Sequence, residues 1–236
     1  MRYSIIIPTL NEEAIIGQCL EHAQQAAQKA SVEFILVDGG SIDATMAIAK
    51  AAGIQVIQTE KGRGQQCNAG AAAAKGKVLL FLHADNFLPE GTFPVLDQLF
   101  FEEHIQIGSF RTRYIERHWW LDMHDRFAHI DSAYSTFGDQ CITMRKDLFE
   151  ALGGYPEIPL FEDVALLQAA RKRSKIQTFP LYLLISGRRF LENGVFWQSL
   201  FNISILTLYL IGVSPWWLAR FYYDNPPKRP TKSIPA

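Results

Sequence analysis

Short apolar runs alternate with helical patterns through the first half of the chain. Each run consists mostly of aliphatic and β-branched residues, and the segments between the runs carry apolar residues at helical spacing. Continuous apolar runs of this kind are typical of strands in a parallel sheet that helices cover on both faces. The pattern therefore predicts an α/β fold with a mainly parallel sheet. The predicted strands are Tyr3–Ile7, Glu33–Val37, Gln55–Gln58 and Val78–Leu82, and the predicted helices are Glu12–Lys29, Ala44–Ala52 and Gly64–Ala74.

The second half of the chain continues the mixture and then becomes uncharged. A run of 27 consecutive residues, Asn193–Ala219, contains no Asp, Glu, Lys or Arg, and Pro215 interrupts it. The interruption predicts a helix over Val195–Val213 and a shorter one over Trp216–Tyr223. Before this run, the predicted strands are Gln106–Arg113, Thr136–Arg145 and Leu181–Ser186, and the predicted helices are His118–Ile130, Asp147–Leu152 and Glu162–Arg173.

The uncharged run is long enough to span a bilayer. Basic residues flank it on both sides, however, which fits the positive-inside rule poorly. We therefore expect an apolar helical appendage that lies on a membrane surface or forms a homodimer, and a single membrane span is the alternative. The side chains of Trp216, Trp217, Tyr222 and Tyr223 suit a headgroup boundary or a dimer seam. The predicted divisions are a catalytic domain over 1–190, the appendage over 191–223 and an extended basic tail over 224–236.

Composition excludes several classes of protein. The chain has 236 residues, 48% of them hydrophobic, so it can bury a core and is not disordered. Its net charge of −1 leaves no basic excess to neutralise phosphates, and we expect no nucleic-acid partner. Pro8 ends the first apolar stretch too early for a signal peptide. We therefore expect the catalytic part in the cytoplasm, and a peripheral contact with the inner face of the plasma membrane stays open.

Polar loops follow the predicted strands of the first half. Because parallel strands end at one edge of their sheet, we expect these loops to form a nucleotide-sized cleft. Asp38 ends the second strand, where its carboxylate can accept a hydrogen bond from a base or a ribose hydroxyl. Arg63 stands between two glycines and can pair with phosphate oxygens, while Asn68 is expected to face the same cleft. The motifs of dinucleotide and P-loop sites are missing from the chain.

Ionisable side chains at strand and helix ends are candidates for chemistry. Asp85 follows a strand, and its carboxylate either caps the next turn or holds Mg²⁺ or Mn²⁺ that bridges to a diphosphate. His83 lies two residues earlier, so an extended backbone points both side chains the same way. Glu162 and Asp163 begin a helix, where they either complement the helix dipole or supply a general base. The remaining candidates are Asp139 and Gln140, which can shape an acceptor pocket, and Arg188, which can close over a diphosphate.

In their order and spacing, these loops resemble the family 2 glycosyltransferases of GT-A fold. The resemblance covers residues 4–190, and within the family the chain is most similar to a bacterial subgroup named for arsenosugar biosynthesis. Two positions depart from the family pattern. His83 stands where the first acid of the Asp-x-Asp motif is expected, and Gly39 stands where a second Asp is common. The motifs that carry the resemblance are Ser4–Glu12, Val37–Asp43, Lys61–Asn68, His83–Asp85 and Phe161–Asp163.

The resemblance implies a GT-A (Rossmann-like) sheet and an inverting transfer of one sugar from a nucleotide-diphosphate sugar, with UDP favoured, to an acceptor hydroxyl. Mn²⁺ or Mg²⁺ would stabilise the leaving diphosphate. Asp163 falls where the family has its catalytic base, and Asp85 falls where it binds metal, with His83 as a second candidate ligand. The predicted donor-binding residues are Pro8, Thr9, Asn11, Glu12, Asp38, Arg63, Asn68, Asp85 and Arg188, and the predicted acceptor-side residues are Asp139, Gln140 and Glu162.

Two other functions stay open. A nucleotidyltransferase would use a similar cleft, but it needs a glycine-rich phosphate loop directly after the first strand, where this chain has Pro8-Thr9-Leu10-Asn11. A catalytically silent sugar-nucleotide-binding or membrane-assembly protein is compatible with the altered Asp-x-Asp motif. The sequence does not specify the acceptor, which is either lipid-linked or a small molecule.

Overall fold

The computed structural model describes residues 1–127 and 131–223. Within these ranges, strands and helices alternate around one sheet of eight strands, which confirms the α/β prediction. The strands are β1 (Tyr3–Thr9), β2 (Val32–Asp38), β3 (Gln55–Gln58), β4 (Val78–Phe81), β5 (Asn86–Phe87), β6 (Ile107–Tyr114), β7 (Thr143–Arg145) and β8 (Gln177–Ile185). The helices are α1 (Ile16–Ala26), α2 (Thr45–Ala51), α3 (Arg63–Ala73), α4 (Thr92–Asp97, continued by a π-helical turn over Gln98–Glu102), α5 (Trp119–Phe127), α6 (Lys146–Leu152), α7 (Glu162–Arg171), α8 (Arg188–Asn193), α9 (Val195–Leu210) and α10 (Pro215–Tyr222).

The order of the strands across the sheet is β3-β2-β1-β4-β7-β6-β8-β5. The neighbours among β1 to β4 pair in parallel, as the apolar runs predict. Strand β7 joins β4 and β6 in antiparallel fashion, whereas β6 and β8 are parallel. The first half of the chain therefore forms a parallel sheet, and the second half extends it in mixed directions.

Alternate residues of β1 face two separate apolar clusters. Ile5 and Ile7 pack into the cluster that contains Leu20 of α1, whereas Ile6 packs into the cluster that contains Ala71 of α3. All three isoleucines are completely buried. Because side chains alternate across a strand, a continuous apolar run is what a sheet covered on both faces requires. The three cysteines, Cys19, Cys67 and Cys141, are buried and free.

The predicted strand Thr136–Arg145 is wrong over most of its length. Only its last three residues join the sheet, as β7, and Gly138–Gln140 forms a turn of 3₁₀-helix. The Gly138 amide donates a hydrogen bond to the Asp163 carboxylate at 2.6 Å, and the Asp139 carbonyl accepts one from a side chain at 2.6 Å. Backbone groups that are committed to such tertiary contacts do not pair in a strand ladder.

The appendage folds back onto the catalytic part of the chain. Pro215 is the first residue of α10 and separates it from α9, as predicted. Leu160, which precedes α7, forms a small buried cluster with Ile205 of α9 and Leu218 of α10. Among the described residues, no helix has both the length and the apolar character needed to cross a membrane. The predicted tail over 224–236 lies outside the described residues.

Candidate functional site

The carboxyl ends of β1, β2 and β4 lie side by side at one edge of the sheet. Thr9 ends β1, Asp38 ends β2, and the loop with His83 and Asp85 follows β4. Strand β1 lies between β2 and β4, so the direction in which strands are added to the sheet reverses here. Ligands of open α/β sheets bind at such reversals. The predicted cleft therefore lies where the topology of the sheet favours a binding site.

Asp38 and Asn11 organise the first two loops of this cleft. The buried Asp38 carboxylate accepts hydrogen bonds from the amides of Gly40 and Ser41, at 2.9 and 2.8 Å, and from the Ser41 hydroxyl. Asn11 has a positive φ of 56°, and its side-chain oxygen accepts from the Ile42 amide at 2.9 Å. The Asp38 side chain is completely buried, and these hydrogen bonds use its carboxylate to hold the loop that follows β2. Contact of either side chain with a nucleotide stays a prediction.

Gln66 is a residue of the cleft that the sequence interpretation missed. Its buried side-chain amide donates to the carbonyls of Thr9 and Val37, at 2.8 Å each, and so joins the ends of β1 and β2. A Cβ atom at Gly39 would lie 3.1 Å from the Gln66 amide nitrogen. A side chain at position 39 would therefore press on this contact, which accounts for glycine at a position where the family often has aspartate. No local signal in the sequence distinguishes Gln66 from its neighbour Gln65.

Arg63 and Asn68 both lie on α3, but they occupy different environments. The half-exposed Arg63 side chain approaches the buried Glu162, with 3.9 Å between Nη1 and Oε1. Asn68 donates to the Tyr155 carbonyl at 2.9 Å and accepts from the Tyr155 amide at 2.8 Å. Arg63 is thus placed to contact both a protein carboxylate and a ligand. The Asn68 side chain instead uses both ends of its amide group to hold the loop at Tyr155 against α3.

Asp85, Asp139 and Asp163 form an acidic cluster in the cleft. Burial, and then the charges of Asp163 and Asp85, raise the pKa of Asp139 from 3.8 to about 7. Burial is also the main reason that the pKa of Asp85 is raised. At the edge of the cluster, burial and then the charge of Asp85 raise the pKa of Glu12. Since these carboxylates repel one another, a bound cation would favour their charged forms.

The acidic cluster fits a divalent cation that also takes ligands from its substrate. The Oδ1 atom of Asp139 is buried, and it finds no hydrogen-bond partner among the described residues. Burial, and then the charge of Arg63, hold the pKa of His83 well below 6.5, so its imidazole is neutral, the form that binds metals. Within residues 1–127 and 131–223, no three His, Cys, Asp or Glu side chains converge as a preformed metal centre. One or two protein ligands suffice for such an ion when a diphosphate supplies others.

Asp163 lies in the first turn of α7 and is oriented by backbone amides. Its Oδ2 accepts from the Gly138 amide at 2.6 Å, and its Oδ1 accepts from the Val164 amide at 2.7 Å. A Cβ atom at Gly138 would lie 3.0 Å from Asp163 Oδ2, so glycine is needed for this close approach. The preceding residue, Glu162, is buried, and burial raises its pKa although Arg63 opposes the shift. The two acids therefore have different environments despite being adjacent.

The loop before α7 is supported by the appendage. Phe161 has a positive φ of 66°, which a bulky side chain rarely adopts. Its ring stacks on Tyr209 of α9, with 4.9 Å between the ring centroids and 26° between the planes. Strained backbone persists only where surrounding contacts enforce it. The appendage therefore helps to fix the backbone immediately before Glu162 and Asp163.

Gln140 and Arg188 border the cleft in different ways. Gln140 is buried, and its Oε1 accepts from the Ser109 hydroxyl at 3.2 Å, so its side chain anchors the 3₁₀ turn. Arg188 is exposed at the start of α8, with its Nε 3.8 Å from Glu192 Oε1. Burial raises the pKa of Asp85, and the charge of Arg188 offsets part of this rise. Arg188 therefore lies close enough to the acidic cluster to act on it electrostatically.

A cavity of about 520 Å³ lies beside Arg63. Its volume is in the range of small-molecule and cofactor sites. Glu12 and Arg63 line the cavity. Because Arg63 also lies 3.9 Å from Glu162, the residue before Asp163, the cavity reaches the start of α7 at Arg63. Trp216 and Tyr223 of the appendage also line the cavity, although the sequence predicted them at a headgroup boundary or a dimer seam. Other lining residues are Pro8, Thr9, Leu10, Lys61, Gln66 and Pro159.

Comparison with known proteins adds a family and named relatives. The model of the family described as Glycosyl transferase family 2 matches residues 4–153. A PGL/p-HBAD biosynthesis glycosyltransferase of Mycobacterium bovis is 39% identical over 110 residues, which make up 43% of this chain and 42% of that protein. The similarity to this curated relative therefore spans about two fifths of its length.

Solved structures share the fold. The structure of S. aureus TarS 1-349 in complex with UDP is similar at a TM-score of 0.66 and 20% identity, over 94% of this chain and 71% of that one. Glucosyl-3-phosphoglycerate synthase from Mycobacterium tuberculosis, in complex with Mn²⁺ and UDP-glucose, is similar at a TM-score of 0.56 and 20% identity, over 78% of this chain and 70% of that one. At these identities the likeness concerns the fold, and the GT-A prediction is confirmed.

Proposed function

Because this chain belongs to glycosyl transferase family 2, we propose that it transfers one sugar from a nucleotide-diphosphate sugar to an acceptor hydroxyl, with inversion at the anomeric carbon. The observation that carries the proposal is the position of Arg63 between the cavity and the acids at the start of α7. Arg63 lines the cavity and also lies 3.9 Å from Glu162, next to the candidate base Asp163. A donor whose nucleoside fills the cavity would thus present its diphosphate and sugar to the acids.

We propose a UDP-type donor. The named structural relatives contain UDP or UDP-glucose, and this likeness supports the choice of donor class. Pro8, Thr9 and Glu12 line the cavity, and the Asp38 carboxylate is held rigid at the neighbouring strand end. A loop that is rigid before binding lowers the entropic cost of holding a nucleoside beside it.

Asp85 is proposed as a ligand of Mn²⁺ or Mg²⁺, with His83 as the second candidate. When bound, such an ion acts as a Lewis acid that stabilises the charge of the departing diphosphate. The protein contributes positive charge of its own from Arg63, and Arg188 is the second cationic side chain proposed to approach the diphosphate. The neutral imidazole of His83 and the charged carboxylate of Asp85 are both suitable ligand forms.

Asp163 is proposed as the general base. The acceptor hydroxyl loses its proton to the Asp163 carboxylate as its oxygen bonds to the anomeric carbon, and the bond from that carbon to the diphosphate breaks. The amides of Gly138 and Val164 fix the carboxylate during this transfer. The residues proposed to border the acceptor are Asp139, Gln140 and Glu162. The buried side chain of Gln140 would contribute by holding the 3₁₀ turn in place.

The outer surface of the appendage is proposed to contact a membrane surface, and a homodimer is the alternative. Trp197 is 69% exposed and Phe221 is 60% exposed. Aromatic side chains at such density suit the headgroup region of a bilayer. The acceptor would then be lipid-linked, whereas a small-molecule acceptor needs no such surface. Similarity to the subgroup named for arsenosugar biosynthesis stays a prediction, because the curated relative carries a different name.

The test is a transfer assay in which the purified protein is incubated with Mn²⁺ and a panel of nucleotide sugars. Release of the nucleoside diphosphate is measured. We expect a UDP-sugar to be turned over and Asp163→Asn to lose about 10²- to 10⁴-fold in rate, the usual contribution of a general base. The matched control is Asp147→Asn, because Asp147 also lies in the first turn of a helix and accepts from the next amide, at 2.8 Å. Binding of UDP without turnover in any condition, unaffected by Asp163→Asn, would instead support a silent binding protein. Release of pyrophosphate from a nucleoside triphosphate would support a nucleotidyltransferase.

A further inference from the structure

One wall of the cavity comes from α10 and not from the predicted catalytic domain. The cavity is lined by loops after β1 and before α3, by the Glu157–Pro159 loop, and by Trp216 and Tyr223. Trp216 of α10 and Tyr223, the residue after this helix, are therefore part of the cavity, although they lie far along the chain from the Glu157–Pro159 loop that they meet. The only aromatic rings among the lining residues are these two, within the part of the chain that the structure describes.

Helix α10 has two chemically different sides. Leu218 is 1% exposed and packs with Leu160, which lies directly after the Glu157–Pro159 loop. Trp217 is 48% exposed and stacks at a tilt on the exposed Phe221, with ring centroids 4.6 Å apart. Adjacent tryptophans thus differ in surroundings, because Trp216 lines the cavity and Trp217 lies on the outer side.

A hydrogen bond also fixes the chain directly after α10. The Tyr223 hydroxyl donates to the Pro159 carbonyl at 3.1 Å. The buried packing of Leu218 supports the middle of the helix. A wall held at both points can present a ring to a ligand at little entropic cost, since the ring does not need to be ordered on binding.

Resting on the proposed function, we propose that Trp216 stacks on the nucleobase of the donor, which makes α10 part of the donor site. Arg63 lines the cavity and approaches Glu162, so a diphosphate paired with Arg63 would direct the nucleoside into the cavity. Within the cavity, a flat heteroaromatic base finds aliphatic contacts at Pro8 and Leu10 and an indole at Trp216. Stacking on an aromatic ring tolerates every base, so Trp216 would contribute affinity and not the choice of base.

The experiment is calorimetric titration of the full chain with UDP and Mn²⁺, and separately with pyrophosphate and Mn²⁺. We expect Trp216→Ala to weaken UDP about 5- to 100-fold, the effect of losing one base–aromatic stack, and to leave pyrophosphate unchanged. Trp217→Ala is the matched control and should bind both ligands as the wild type does. Trp216→Phe keeps an aromatic ring and should recover most of the UDP affinity. This recovery would show that the loss in Trp216→Ala comes from the missing ring and not from a folding defect.

Tryptophan fluorescence provides a second measurement. UDP should quench the emission of wild type and of Trp217→Phe, whereas Trp216→Phe should lose most of the quenching. Equal UDP affinity in wild type and Trp216→Ala, or full quenching in Trp216→Phe, would overturn the stacking proposal and leave the glycosyltransferase proposal intact. Wild-type protein that binds neither UDP nor any other nucleotide would overturn both.

Discussion

Replacing Asp139 with asparagine is expected to stabilise the protein above pH 7. Burial and the carboxylates of Asp163 and Asp85 raise the pKa of Asp139 from 3.8 to about 7. At about 1.4 kcal/mol per pKa unit, this shift means that charging Asp139 costs about 4 kcal/mol more in the folded state than in the unfolded chain. Asparagine has nearly the same shape without the charge. Its buried amide hydrogens need partners of their own, so we expect a net gain of about 2 kcal/mol.

The gain from Asp139→Asn has a defined dependence on pH. The folded-state pKa lies above the unfolded-state value, so between about pH 4 and pH 7 the folded chain binds a proton that the unfolded chain has released. The free energy of unfolding of the wild type must therefore fall as the pH rises through this window. Below it, both states carry neutral Asp139 and the substitution gives no gain. Glu162 titrates in the same direction, so the variant should retain part of the slope.

The assay is thermal unfolding between pH 4.5 and pH 8.5 without divalent metal. For a chain of this length, a gain of about 2 kcal/mol corresponds to a rise in Tm of about 4–8 °C at pH 8. Asp147→Asn is the control, because Asp147 is exposed and its substitution should leave the pH slope unchanged. Parallel loss of stability in wild type and Asp139→Asn from pH 5 to pH 8 would refute the assigned electrostatics.

Three further predictions address the base, the metal and the outer surface. Gly138→Ala places a Cβ atom 3.0 Å from Asp163 Oδ2 and should displace the carboxylate. We expect kcat to fall by about tenfold or more, with little change in the KM for the donor or in Tm. An unchanged kcat would contradict the orienting role of Gly138. Asp85→Asn should weaken UDP binding about 10- to 100-fold with Mn²⁺ but hardly without it, as measured by calorimetry; equal losses in both conditions would argue against a metal ligand. Replacing both Trp197 and Phe221 by serine should abolish flotation with anionic lipid vesicles and leave UDP binding intact. If the wild type does not bind vesicles, and the double variant loses a dimer that the wild type shows in sedimentation, the homodimer would be favoured.

The sequence was sufficient to predict the part of the fold that depends on local pattern. The runs that became β1, β2 and β4 are apolar on every residue or nearly so, and two-sided burial is the reason. Polar residues directly after these runs, such as Thr9 and Asp85, were predictable members of one cleft because the edge of a parallel sheet collects them. The acidic nature of the site followed from the same reasoning.

Contacts between distant segments were not predictable in this way. The 3₁₀ turn at Gly138–Gln140 replaces a predicted strand because its backbone is engaged by Asp163, which lies in another element. The direction of Trp216 depends on the docking of Leu218 against Leu160, and a single sequence contains no signal for that contact. Likewise, Gln66 gains its role only because β1 and β2 end next to it. Each of these features is decided by tertiary packing.

The two sides of α10 impose a thermodynamic relation on whatever binds them. Trp216 contributes to the cavity, and Trp217 with Phe221 lies on the outer surface of the same eight-residue helix. If an outer partner and the cavity ligand each prefer one position of α10, each must change the affinity for the other by the same factor. Measuring UDP affinity with and without vesicles, and vesicle affinity with and without UDP, should therefore yield a single coupling free energy. If the proposed donor site includes α10, its affinity for the donor would also report what the outer surface of α10 contacts.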